Sequence, residues 1–235
     1  MDIVSEEKDL AIHAGEHLST LLKDADTSPT LLLLSGGSAL EILTYTILQG
    51  RTENLTVMIV DERFDKNPEE NNFSRIQKTN FYERATKAGT HFINTSWGTA
   101  ESVEALGILM DSALKSWVSE HSRGVIYMTL GIGTDGHTAG IMPFPEDHQK
   151  FNTLFNDQTT LAVGYDASGK NPIPLRATIT FPFMRFAKAT IVYAVGANKK
   201  EPLLKALSSD GVLAETPARI FNELENLTLY RSPAN

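Results

Sequence analysis

Leu130-Gly131-Ile132-Gly133-Thr134-Asp135-Gly136-His137-Thr138-Ala139-Gly140 directly follows the apolar run Gly124-Val125-Ile126-Tyr127-Met128-Thr129. The apolar run reads as a buried strand. What ends it is poor material for a core: glycines, an acid and a histidine. Glycines let the backbone turn with positive φ and approach a ligand closely. Side chains at a strand end of an open α/β sheet project into the usual ligand crevice, which makes Asp135 and His137 candidate site residues. Imidazole changes protonation near neutral pH, so a histidine placed there is a candidate general base. Gly131, Gly133 and Gly136 also spell G-x-G-x-x-G, the dinucleotide fingerprint, which requires a helix straight after it and an acid at the end of the next strand. Pro143 and Pro145 break any such helix, and 146–158 is polar and strand-poor. A nicotinamide site is therefore rejected.

Outward from this stretch, strands and helices alternate. Periodicity predicts an amphipathic helix over 5–24, a buried strand over 30–34 and a helix over 39–48. A strand over 55–60 is read as ending in Asp61-Glu62-Arg63. It is followed by a polar loop to Asn72, a helix to about Ala85, a short strand over 90–94 and a long helix over 100–120. Beyond the histidine, strands are expected over 160–165, 176–180, 189–195 and 227–231, with a helix up to Leu207 and another opened by Pro217. Alternation of this kind implies a mostly parallel sheet with helices on both faces. The 235 residues suit a single α/β domain spanning 1–235.

Composition narrows the function. There is no run of 18 apolar residues to span a membrane, and the charged N-terminal stretch lacks a secretory leader's apolar centre. With no cysteine, thiol nucleophiles, disulfides and cysteine-based metal sites are excluded. The expectation is a cytoplasmic protein, monomeric or a small homo-oligomer. A formal net charge of −8 argues against nucleic acid as a partner. It also means that an anionic substrate needs a local cluster of donors.

Four strand ends offer such chemistry. Ser35-Gly36-Gly37-Ser38 is a glycine turn opening a helix, where backbone N–H groups and hydroxyls suit a phosphate. It is not a P-loop, because the lysine of that motif is absent. Asp61 and Arg63 offer a carboxylate and a guanidinium for sugar hydroxyls or carboxylates. Asp135 and His137 form the third set. The fourth is Lys199 in Gly196-x-x-Lys, supported by Arg176. A lysine in a helix's first turn opposes the dipole, and a phosphate held between helix starts would account for it.

Taken in order, Ser-Gly-Gly-Ser, Asp-Glu-Arg, Gly-x-Gly-x-Asp-Gly-His-Thr-Ala, Arg-x-Thr-x-Thr and Gly-x-x-Lys resemble the 6-phosphogluconolactonase family, relatives of glucosamine-6-phosphate deaminase. The similarity runs from about residue 30 to 220, with Asp-Gly-His-Thr-Ala before a proline its most specific element. Asn72-Phe73 looks like the family's Asn-Tyr pair. The resemblance implies a Rossmann-like sheet without a nucleotide, no metal or other cofactor, and a sugar-phosphate lactone as substrate. The implied activity is hydrolysis of 6-phosphogluconolactone to 6-phosphogluconate in the oxidative pentose phosphate pathway. By the same resemblance Ser35, Gly36, Gly37, Ser38, Arg176 and Lys199 cradle the phosphate, Asp61 and Arg63 line the sugar end, and His137 is the base with Asp135 beside it. Two alternatives are an amino-sugar-phosphate deaminase and a non-catalytic sugar-phosphate sensor. Ala39-Leu40, Thr134 and Gly140-Ile141-Met142 depart from the family's usual residues. Met142 stands where deaminases carry a glutamate beside a proline, which favours the lactonase.

Overall fold

The strands pair as a computed structural model that describes residues 1–6, 8–23, 27–49 and 52–233. They are β1 (Asp2–Ser5), β2 (Thr30–Leu34), β3 (Leu55–Ile59), β4 (Asp61–Arg63), β5 (His91–Phe92), β6 (Val125–Leu130), β7 (Ala162–Asp166), β8 (Leu175–Ile179), β9 (Ala189–Ala194) and β10 (Leu227–Arg231). Seven of them form a sheet in the order β1-β10-β9-β6-β2-β3-β5, and every pairing in it is parallel. β4, β8 and β7 make a separate antiparallel sheet.

All five residues of β2 are buried. Leu31 and Leu33 join one hydrophobic cluster, Leu32 and Leu34 another. Successive side chains alternate across a strand, so an unbroken leucine run is what a sheet covered on both faces requires. The covering helices are α1 (Leu10–Leu21), α2 (Ile42–Tyr45), α3 (Asn72–Gln77), α4 (Asn80–Lys87), α5 (Val103–Glu120), α6 (His148–Phe155), α7 (Phe181–Met184) and α8 (Lys200–Leu207). Side chains fix several starts: Asn71, Thr79, Ser102 and Asp147 each accept a first-turn N–H of α3, α4, α5 and α6 respectively. Among the described residues, no helix is long and apolar enough to cross a membrane.

From β2 the chain moves outward through β3 to β5, then returns to the other side of β2 as β6 and moves outward again through β9 and β10. The order thus reverses between β2 and β6. At such a reversal the loops leaving two adjacent strands diverge and open a crevice.

Several expectations change. The helix expected over 5–24 starts at Leu10, because Asp2–Ser5 pairs with β10 at the sheet edge; positions 7 and 24 of that span lie outside the described residues. The helix expected over 39–48 is a 3₁₀ turn over Gly37–Glu41 followed by one turn of α2. Beyond it, the Thr46 carbonyl accepts from Arg84 (2.9 Å) and the Ile47 N–H donates to the Ser19 hydroxyl (2.8 Å), so neighbours take the backbone groups a longer helix would use. The single helix expected from 72 to 85 is two, α3 and α4, divided at Thr79. Asp61-Glu62-Arg63 is not the end of a parallel strand. It is β4, paired antiparallel with β8 so that Arg63 lies opposite Arg176.

Candidate active site

The ends of β2, β6 and β9 in the large sheet, β4 directly after β3, and β8 of the smaller sheet carry the four residue sets. Ser35, Gly36, Gly37, Ser38, Asp61, Arg63, His137, Arg176 and Lys199 all line one cavity of about 280 Å³. That is near the lower end of the ~300–1,000 Å³ common for small-ligand pockets. Of the residues expected at the site, Asp135 alone does not line it; its carboxylate sits behind His137.

The glycine–histidine loop is closed by its own backbone. Gly133 N–H donates to the His137 carbonyl (2.8 Å), Gly136 N–H to the Gly133 carbonyl (3.1 Å), and the Thr138 hydroxyl to the Gly131 carbonyl (2.8 Å). The imidazole lies against Gly133, where a Cβ would collide with the His137 ring and the Asp135 carboxylate. Asp135 Oδ1 meets His137 Nδ1 at 2.5 Å and also accepts the His137 backbone N–H at 3.1 Å. This fixes the ring and leaves Nε2 for a reacting water. Burial by itself raises the Asp135 carboxyl, but the hydrogen bond and charge of His137 outweigh it and hold the group below its ordinary value. An ionised carboxylate behind the ring stabilises imidazolium when it forms.

Beside this loop, Lys199 Nζ donates to the Ile132 carbonyl at 2.7 Å. Burial lowers the Lys199 pKa, opposed by the Asp135 charge. Across the cavity, Ser35 is locked to the neighbouring strand, its N–H donating to the Thr129 hydroxyl at 2.9 Å, while Gly37 and Ser38 are exposed. The turn that opens at Gly37 has no side-chain cap. Its first N–H groups are therefore left without a side-chain acceptor, and Gly37 and Ser38 line the cavity.

The Asp61–Arg63–Arg176 group is more buried than the sequence suggests. Arg176 is 3% exposed and Asp61 5%; their side chains pair at 3.3 Å. Arg176 Nε also donates to the Ile173 carbonyl (3.2 Å) and Nη2 to Asn171 Oδ1 (3.1 Å). Three of its five N–H groups are thus occupied, and the guanidinium supports Asp61 as well as facing the cavity. Arg63 Nη1 pairs with Glu70 at 3.1 Å, and its buried Nε has no protein acceptor.

Asn72 also lines the cavity, although the sequence marked it only as part of an Asn-Phe pair. Its Nδ2 donates to the Asp61 carbonyl (3.0 Å), and its carboxamide fills the space a Cβ on Gly36 would need. Ile132, Thr134 and Ala139 complete the walls as neighbours of the residues already singled out. Met142 does not reach the cavity. It is 0% exposed, and its N–H donates to the Tyr165 hydroxyl (3.1 Å), which itself donates to the Gly140 carbonyl (2.6 Å).

These groups can bind a phosphorylated polyol, deprotonate a water and stabilise an oxyanion. Comparisons with known proteins agree with that chemistry. The profile of the glucosamine-6-phosphate isomerases/6-phosphogluconolactonase family matches residues 5–229. The chain is 26% identical over 212 residues to a 6-phosphogluconolactonase of Rhizobium meliloti (strain 1021), covering 89% of this chain and 86% of that protein. Among solved structures, a 6-phosphogluconolactonase from Shewanella baltica OS155 superposes with a TM-score of 0.77 at 19% identity, covering 99% of this chain and 98% of the other. The 6-phosphogluconolactonase from Trypanosoma brucei gives a TM-score of 0.76 at 18% identity, covering 99% and 96%. At these identities the structural likeness speaks for the fold.

Proposed function

The chain belongs to the glucosamine-6-phosphate isomerase/6-phosphogluconolactonase family, and we propose that within it this protein hydrolyses 6-phosphogluconolactone to 6-phosphogluconate. The observation that carries this reading is the Asp135–His137 pair, held over Gly133 at the same sheet edge as the cationic residues. A δ-lactone is an activated ester, so its hydrolysis needs a deprotonated water and a stabilised carbonyl oxygen rather than a covalent nucleophile. Neutral His137 takes the proton from water as it attacks the lactone carbon. The imidazolium then returns a proton to the ring oxygen as the C–O bond breaks. Asp135 orients the ring and stabilises its charged form. Arg63, a cation lining the cavity, is the side chain suited to the developing oxyanion. Lys199 and the Ser35–Ser38 turn hold the phosphate, with Arg176 beneath them. Fixing that end of the substrate aligns the carbonyl with the water.

Met142 favours the lactonase over the deaminase. It is buried, with the Asn171 amide 4.0 Å from its sulfur, and does not line the cavity, so this position supplies no carboxylate for ring opening. The sensor reading leaves the Asp135–His137 geometry without a purpose. Side-by-side assays separate the three: freshly generated 6-phosphogluconolactone is expected to be hydrolysed well above its spontaneous rate, and glucosamine-6-phosphate to yield no ammonia. Ammonia release without lactone hydrolysis would assign the deaminase reaction. Phosphosugar binding with neither activity would assign the sensor.

A further inference from the structure

Between the two cavity residues of β4 lies Glu62, a carboxylate the proposed chemistry does not use. Side chains alternate across a strand, so Glu62 points away from the cavity that Asp61 and Arg63 line, and it is 0% exposed. Its two oxygens take four hydrogen bonds from three parts of the chain. Oε1 accepts the N–H of Arg63 (2.7 Å) and of Asn72 (2.6 Å). Oε2 accepts the N–H of Phe73 (3.0 Å) and contacts the hydroxyl of Thr95 (3.2 Å), in the loop after β5. Asn72, held in this way, donates in turn to the Asp61 carbonyl (3.0 Å) and lies against Gly36.

We propose that Glu62 is a positioning residue of the hydrolytic site: its buried carboxyl group ties β4 to the start of α3 and to Thr95, and through Asn72 sets where Asp61, Arg63 and the Gly36 turn stand. The proposal rests on the lactonase reading for its assay but on the hydrogen-bond geometry for its content. Asn72, Asp61 and Arg63 are the parts of this unit that line the cavity. Replacing the Glu62 carboxyl group therefore acts on the substrate through those three residues.

The test compares wild type with Glu62→Gln, Asn72→Ala and the double variant, each first shown to be folded by thermal unfolding and near-ultraviolet circular dichroism. Whichever way the amide of Glu62→Gln turns, its NH2 meets a backbone N–H from which a carboxyl oxygen, ionised or protonated, can accept and an NH2 cannot. Glu62→Gln is expected to lower kcat/KM for 6-phosphogluconolactone about 10- to 100-fold, and Asn72→Ala to cause a comparable loss. Because both act through one unit, the double variant should lose little more than the worse single one, as coupled residues do. Wild-type kcat/KM in a folded Glu62→Gln, or losses that multiply in the double variant, would overturn the proposal and leave Glu62 a structural group. If Glu62→Gln does not fold, Thr95→Val removes one contact and leaves three. It should then lower kcat/KM two- to fivefold, and unchanged kcat/KM overturns the proposal. A wild type that hydrolyses no lactone defeats the reading rather than this inference. The same variants are then compared by calorimetry for inorganic phosphate binding, where equal affinities across the set overturn the positioning role.

Discussion

Lys199 and Arg176 were both expected to serve the phosphate, yet their surroundings differ. Among the described residues the Lys199 ammonium makes one hydrogen bond, to the Ile132 carbonyl, and it lines the cavity. Losing a hydrogen bond to a charged group costs about 1.5–3 kcal/mol, so Lys199→Ala should lower kcat/KM for the phosphorylated lactone about 10- to 150-fold, mainly through KM. The non-phosphorylated lactone should be little affected. Arg176→Ala leaves the Asp61 carboxylate buried without its partner, a change of the kind that costs about 3–5 kcal/mol of stability. That variant is expected to unfold at lower temperature and to lose activity on both lactones. Steady-state kinetics on the two lactones, with an unfolding curve for each variant, checks both expectations. A loss confined to the phosphorylated lactone in a fully stable Arg176→Ala would return Arg176 to phosphate binding alone. These roles were legible in the sequence as far as position goes, because charged and glycine-rich residues at strand ends have few other reasons to be there. The sharing of Arg176 between Asp61 and the cavity was not, since it depends on a pairing across 115 positions. Asn72 and Glu62 gave no clear signal for the same reason: their importance lies in which backbone groups surround them.

At the scale of elements, β4 shows how charge can hide a strand. Three consecutive polar residues read as the end of the preceding strand, but β8 pairs with them as a separate strand and Glu62 is satisfied from behind. The short helix α6 escaped notice in a polar segment because its buried apolar face is short: Phe151 and Phe155, four apart, with Leu154 partly buried beside them. The leucine run of β2 and the strands β9 and β10 were plain, since long apolar segments admit few alternatives. Burial of Glu62 also has a consequence for stability. Desolvation pushes its carboxyl up to about 8; the N–H groups of Phe73, Asn72 and Arg63 oppose the shift, and the Asp61 charge on the same strand adds to it. Thr95 and the start of α3 bring no charge to the group. A pKa raised on folding means that the native state holds a proton the unfolded chain releases near its ordinary value of 4.5. The contribution of Glu62 is therefore complete below that value and is lost as pH rises to about 8. The unfolding midpoint of wild type, taken relative to Glu62→Gln, should decline across that window and level off above it. A difference that stays flat from pH 5 to 9 would contradict this.

For the whole molecule, a net charge of −8 and an anionic substrate are reconciled by topology. The sheet order reverses between β2 and β6, and the strands flanking the reversal bring Ser35–Ser38, Arg63, His137 and Lys199 to one crevice. Donors gathered within a few ångströms outweigh a diffuse repulsive field. The alternation of strands and helices made the parallel sheet legible, whereas the separate antiparallel sheet that carries Arg176 was not, because β4 joins β8 and β7 from a distant part of the chain. The account turns on His137 as the base, and the most direct measurement is single-preparation kinetics of wild type and His137→Asn on fresh 6-phosphogluconolactone, corrected for spontaneous hydrolysis. Loss of a positioned acid–base group should lower kcat by roughly 10²–10⁴-fold with KM little changed, and should alter the pH profile of the rate. A folded His137→Asn enzyme that turns over at the wild-type rate, with the same pH profile, would contradict the account.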